Sequence, residues 1–116
     1  MIADQARAMW KKAMTRHGET IILRRIVANA PSVDVTVPAR VSGYAPEELT
    51  AGRTQADRKV FILAEDVEAS GFPLPLKQGS TDRILVRGRL MTLTEIDDST
   101  HRVGPTLVAY EIRATG

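Results

Sequence analysis

The side chains able to do chemistry in this sequence are few and scattered. Its two histidines, His17 and His101, lie far apart, and neither falls in a cluster with metal-ligand spacing. Asp97 and Asp98 suggest a metal site or an acid pair. Adjacent residues on a strand point to opposite faces, however, and at a turn such residues usually cap backbone groups. The absence of cysteine removes disulfides, thiolate zinc sites and a Cys nucleophile. The glycines at 43, 52, 71, 79 and 88 fit no phosphate-cradling spacing. No pairing of nucleophile and base follows from the residues. Arg24-Arg25 and Arg58-Lys59 are basic pairs inside predicted strands, read as solvated or intersubunit charges rather than a DNA-binding stripe. The expectation is a binding or structural protein, not an enzyme, with no cofactor and no tightly bound metal.

Composition sets the elements that must carry such a role. At 116 residues the chain is expected to be one domain, 1–116, with enough length for a real core. Apolar residues make up 43 % and charged ones 26 %, which reads as globular. Aromatics are only 4 %, so the core must rest on Val, Ile, Leu and Met. A net charge of +2 is too mild to argue for nucleic-acid affinity without a clustered patch. No apolar run reaches the length of a membrane span. Asp4 interrupts the N-terminal region, so no secretion signal is expected and the chain is expected to fold in a cytosol.

Residues 2–16 form the one long helical pattern. Ile2, Ala6, Met9 and Ala13 recur at helical spacing, with Trp10 and Met14 beside them. Gly18 can end this helix. Two readings of Trp10 stay open: it packs on the β-structure, or it helps dock the helix on another subunit. Six strands follow, at 19–28, 33–41, 58–64, 84–86, 89–96 and 107–113. The stretch 33–41 alternates most cleanly, with Val33, Val35, Val37, Ala39 and Val41 on one face. Pro38 cannot donate to a ladder, so this strand is expected at an edge or with a bulge, where a partner chain can sit.

The segment 81–96 reads as a hairpin turning at Arg87-Gly88, with Gly accepting a positive φ. Its second strand places Met91, Leu93 and Glu95 on one face. Residues 65–69 suggest one helical turn. Pro73 and Pro75 then hold 72–76 extended, with Leu74 and Leu76 as candidate plugs for one end of a barrel. Residues 42–57 stand out as a long polar connection, and loops of that length between strands are usually functional or disordered.

Read together, these pieces resemble the head-closure and head–tail connector (stopper, neck) proteins of tailed bacteriophages and of phage-derived particles such as gene transfer agents. The resemblance runs from about residue 19 onward. It comprises the strand VTVPARV, the long loop with Glu47-Glu48-Leu49 and Gly52-Arg53-Thr54-Gln55, the strand RKVFILAE, the stretch QGSTDRILVRGRLMTLTEID and the final LVAYEIRATG. It implies a mainly β fold: a small six-strand antiparallel barrel or sandwich with an N-terminal helix and a long inter-strand loop. It also implies a ring, of six or twelve copies, in the neck of a virion or phage-like particle assembled in the bacterial cytoplasm. The ring's partners would be an adaptor or portal ring above, a tail-terminator or tail tube below, and passing double-stranded DNA without sequence specificity, with no membrane.

On that reading Glu47, Glu48, Arg53 and Gln55 are the candidate channel-loop residues, and Trp10 and Pro38 the candidate subunit or partner contacts. With Glu47, Glu48 and Asp57 against Arg53, the loop is not expected to cling to phosphate. The rivals are a tail-terminator or other neck protein and, from another class, a small oligonucleotide-binding barrel. The last should show aromatics on a strand face with basic neighbours.

Overall fold

The alternation of apolar residues is realised as the inner wall of a closed barrel. A computed structural model describes residues 2–43, 57–77 and 81–116. In chain order the elements are α1 (Ala3–His17), β1 (Glu19–Arg25), β2 (Val33–Ser42), β3 (Arg58–Leu63), α2 (Ala64–Ser70), β4 (Asp82–Val86), β5 (Arg89–Asp97), β6 (Arg102–Val103), β7 (Thr106–Leu107) and β8 (Ala109–Thr115). Six strands close in the order β1-β2-β3-β8-β5-β4, with β4 back against β1, and every pairing is antiparallel. The expected mainly β barrel with an N-terminal helix is what the chain forms. The strand expected over 107–113 is divided: 106–107 pair with 102–103 as a small ribbon, and β8 starts at Ala109.

Each strand sends every second residue inward. Ile21 and Leu23, Val37 and Ala39, Val60 and Ile62, Ile84 and Val86, Met91 and Leu93, and Ile112 and Ala114 are buried together. Full burial of one large aliphatic side chain contributes roughly 1.5–3 kcal/mol, so this lining holds the barrel shut.

The hairpin β4–β5 turns at Arg87 and Gly88, as expected. Both residues are at positive φ, +49° for Arg87 and +82° for Gly88. A type I′ turn demands this, but it favours Asn or Gly at the first position. An L side chain in the left-handed region costs roughly 1–2 kcal/mol. Along β5 the register shifts between Leu93 and Glu95. The extra residue, Thr94, donates its hydroxyl to the Arg113 carbonyl at 3.1 Å. Beyond this bulge the faces exchange: Glu95 is exposed, and Ile96 packs on the core opposite Ile112. The shared face expected for Met91, Leu93 and Glu95 therefore ends at Leu93.

Pro38 is explained by the ladders. β2 pairs with β1 along 33–39, but with β3 only at Arg40, Val41 and Ser42. β2 is thus enclosed in the barrel order rather than an edge strand, and its pairing with β1 runs through Pro38 in continuous register. Residues 33–39 nevertheless have a described ladder on one side only, and Pro38, opposite Thr20, falls there. Where β3 ends, the chain turns into α2, which packs against β2, β3 and β8.

Helix α1 lies outside the barrel. Ala6 and Met14 are buried and Trp10 half-buried, while Ile2 and Met9 are 63 % and 49 % exposed. The buried stripe is therefore 6-10-14, at spacing of four, instead of the one through Ile2, Met9 and Ala13. The cause is the surface beneath: Leu63 and Ala109 form a second apolar cluster with Met14, and Phe61 and Trp10 pack on it. Arg7 donates to Glu68 at 3.1 Å and to the Leu107 carbonyl at 2.8 Å, and Lys11 meets Asp66 at 2.7 Å. Gly18 ends the helix; a Cβ there would lie 2.5 Å from the Met14 sulfur and 2.6 Å from its carbonyl oxygen. Of the proposed plugs, Leu76 is buried and Leu74 is 45 % exposed; Phe72, at 4 % exposure, joins the core cluster with Leu76.

Candidate functional site

One end of the barrel gathers the start of β1, the end of β2, the starts of β3 and β5, and the ends of β4 and β8. The long connection leaves from this end and returns to it. Glu47, Glu48, Arg53 and Gln55 lie outside the described residues, but both roots of the connection are described. Ser42 pairs with Lys59 across the β2–β3 ladder. Asp57 is 1 % exposed. Its carboxylate accepts from Arg113 Nε at 3.0 Å and from the Thr115 hydroxyl at 3.1 Å, and its carbonyl accepts from Arg58 at 2.9 Å. Asp57, counted above among the acids of the connection, is a bolt to β8. Burial without those donors would be costly for a carboxylate; with them it fixes the returning strand.

Between the roots and the β4–β5 turn lies an opening of about 220 Å³, lined by Val41, Arg58, Val86, Arg87, Arg89 and Met91. Arg87 forms an ion pair with Glu19, its own side chain 68 % exposed. Arg89 donates to the Gly116 carbonyl oxygen at 2.7 Å. Three guanidinium groups thus rim an apolar floor. The sequence signal was the Arg-Gly-Arg turn itself, which places Arg where turn chemistry prefers Asn or Gly.

Down the outer wall, Phe61 pairs in register with Arg40 and is two residues from Lys59. Trp10 packs on Phe61 with ring centroids 5.0 Å apart, and His101 meets Phe61 edge-on at 4.9 Å. Trp10 thus packs on the barrel. With Arg40, Ser42, Lys59 and Phe61 it also lines a groove of about 210 Å³. Tyr110, the other strand aromatic, points into the core.

The remaining candidates resolve into structural roles. Asp97 accepts from the Thr100 hydroxyl and from the backbone N–H groups of Ser99 and Thr100, at 2.9 and 3.0 Å. The Thr100 hydroxyl first, then those two N–H groups, hold its carboxyl below the usual carboxylate range. It is a turn cap, as expected. His101 Nε2 stands 3.8 Å from Glu111. Among the described residues no group of three or more His, Asp or Glu is placed to hold a metal ion. Of the basic pair Arg24-Arg25, Arg24 is a solvated charge and Arg25 a largely buried one. Arg24 makes a two-point pair with Asp34, and Arg25 one with the buried Asp82.

These features define a small closed antiparallel barrel with a helix laid on one wall and a long connection rooted at one end. No known family model, curated protein or solved structure matches the chain. Among the described residues no helix is long and apolar enough to cross a membrane.

Proposed function

We propose that this chain is a ring-forming closure protein of the neck of a tailed-phage-type particle. In the ring, the connection over residues 44–56 from each copy would narrow a shared DNA channel. The observation that carries this reading is the root of the connection. A long polar segment leaves a barrel between two directly paired strands, and its return is bolted by a buried Asp57 to Arg113 and Thr115. A surface loop with no task needs no such anchor. The action is steric: the barrel holds the segment at a fixed height, and movement of the segment opens or shuts passage. The adaptor or portal ring would sit above and the tail-terminator or tail tube below. The α1 wall and the one-sided stretch of β2 around Pro38 offer faces for neighbouring copies in a ring of six or twelve.

The test replaces residues 47–56 by a short Gly-Ser link. Their composition is polar and loop-closure entropy changes slowly with length, so stability should shift by no more than about 1–2 kcal/mol. Heads containing the altered subunit should expose DNA to nuclease before tails attach. Heads that keep their DNA as wild type does would defeat the gate, leaving a plain adaptor or tail-terminator role.

A second reading has one observation in its favour. Phe61 with Trp10, flanked by Arg40 and Lys59, is the aromatic and basic juxtaposition that an oligonucleotide-binding barrel needs. Trp10 and Phe61 are largely engaged with each other and with His101, so the neck reading is preferred.

A further inference from the structure

The arginine-rimmed opening at the loop-bearing end has no assigned role in the steric mechanism. We propose that it is a phosphate-binding mouth, and that its ligand is the backbone of a DNA duplex. Three observations meet there. First, Arg58, Arg87 and Arg89 come from two separate chain regions to ring one opening of about 220 Å³. Guanidinium groups present forked donors that match phosphate oxygens. Second, Arg87 holds φ +49°, a conformation that Gly or Asn would adopt with less strain. A strained residue at a surface turn points to a use for its side chain. Third, the basic surface continues away from the mouth. Arg40 and Lys59 lie on the adjacent outer wall, whereas among the described residues at this end Glu19 is paired with Arg87 and Asp57 is turned inward to Arg113.

A mouth of this kind reads no bases. Its donors are charged and its floor is Val41, Val86 and Met91, so it recognises phosphate spacing and charge alone. Contact with DNA then belongs to the barrel rim. The choice of DNA as the source of phosphate rests on the neck reading; the phosphate chemistry does not.

The test uses the full chain in solution and needs no particle. A labelled 20-base-pair duplex is titrated by fluorescence anisotropy across a salt series, with a second duplex of different sequence. Arg87→Gly removes the guanidinium and the strained φ together, so it should melt no lower than wild type. Arg87→Gly combined with Arg89→Gln should weaken duplex binding about tenfold. It should also lower the slope of log K against log salt by about 0.9 per guanidinium removed. Glu19→Gln releases Arg87 from its partner without altering the turn, and should tighten binding. Equal losses on both duplexes support a phosphate site. Unchanged affinity and slope in the double variant would overturn it. A preference for one duplex would also overturn it. Saturation by inorganic phosphate at sub-millimolar concentration, with no gain for duplex, would overturn the polymer as ligand. Failure here leaves the loop test in heads untouched, and failure of that test leaves a phosphate mouth standing.

Discussion

Ile84→Ala should destabilise the chain by about 2–5 kcal/mol, and Val35→Ala by only about 1 kcal/mol. Both are apolar residues on barrel strands, yet their surroundings differ. Ile84 is fully buried and is flanked in the ladders by Leu23 and Met91, themselves buried. Strands pair on both sides of β4, so the wall cannot close in on a vacated space. The lost contacts and the residual cavity therefore both count. Val35 is half-buried and lies where β2 has a ladder on one side only, so solvent and side-chain adjustment can take up the change. Urea unfolding of the two variants at unchanged m-value checks this. Equal costs would mean that the barrel relaxes around position 84.

The second large effect is expected at Asp82. Asp82→Ala should cost about 3–5 kcal/mol, while Asp34→Ala should barely register. Both carboxylates take a two-point pair from an arginine of β1. Asp82 is 1 % exposed and Arg25 13 %, whereas Arg24 and Asp34 are 31 % and 40 % exposed. Exposed pairs are screened and gain little. Removing Asp82 also strands the Lys77 N–H, which it accepts at 2.7 Å, and leaves Arg25 half-buried 5.2 Å above the Phe72 ring without its counter-charge. One carboxylate thus ties β1, β4 and the proline-rich link together. Denaturant unfolding of both alanine variants, followed by a double-mutant cycle with Arg25→Met, should show strong coupling at 82. An Asp82→Ala chain as stable as Asp34→Ala would refute the buried-pair account.

Much of the barrel was legible from alternation and turn chemistry. The valines of 33–41, the Arg87-Gly88 turn and the end of the first helix at Gly18 all fall where local rules put them. What local rules could not reach depended on tertiary partners. The bulge at Thr94 is set by its pairing with β8, so Glu95 and Ile96 exchange faces against strict alternation. The buried stripe of α1 is chosen by Leu63 and Ala109, far along the chain, and not by the most apolar residues of the helix. Asp57 read as a loop acid because its partner Arg113 is 56 residues away. For the candidate site, the channel-loop residues could be named from length and polarity, but the mouth needs Arg58 and Arg89 brought to one rim, which no spacing reveals. Pro38 was legible as a residue that cannot serve two ladders, though it sits where the β2–β3 pairing has stopped at Arg40 and Phe61, not at a free edge or a bulge.

The helix on the outer wall has a consequence for how the molecule comes apart. Its apolar contact is the small cluster of Met14, Leu63 and Ala109 with Trp10 and Phe61, separate from the cluster that fills the barrel. The barrel ladders close without it. α1 should therefore be the first unit to open, releasing its amide hydrogens to solvent in a partial event that leaves β1, β3 and β8 protected. In native-state hydrogen exchange, the α1 amides should leave at a free energy well below the global value, while those of Val60, Ile62 and Ile112 wait for complete unfolding. The chain would then carry a detachable arm on a persistent body, able to exchange its hold on Phe61 and Leu63 for a neighbouring surface while the barrel keeps its shape.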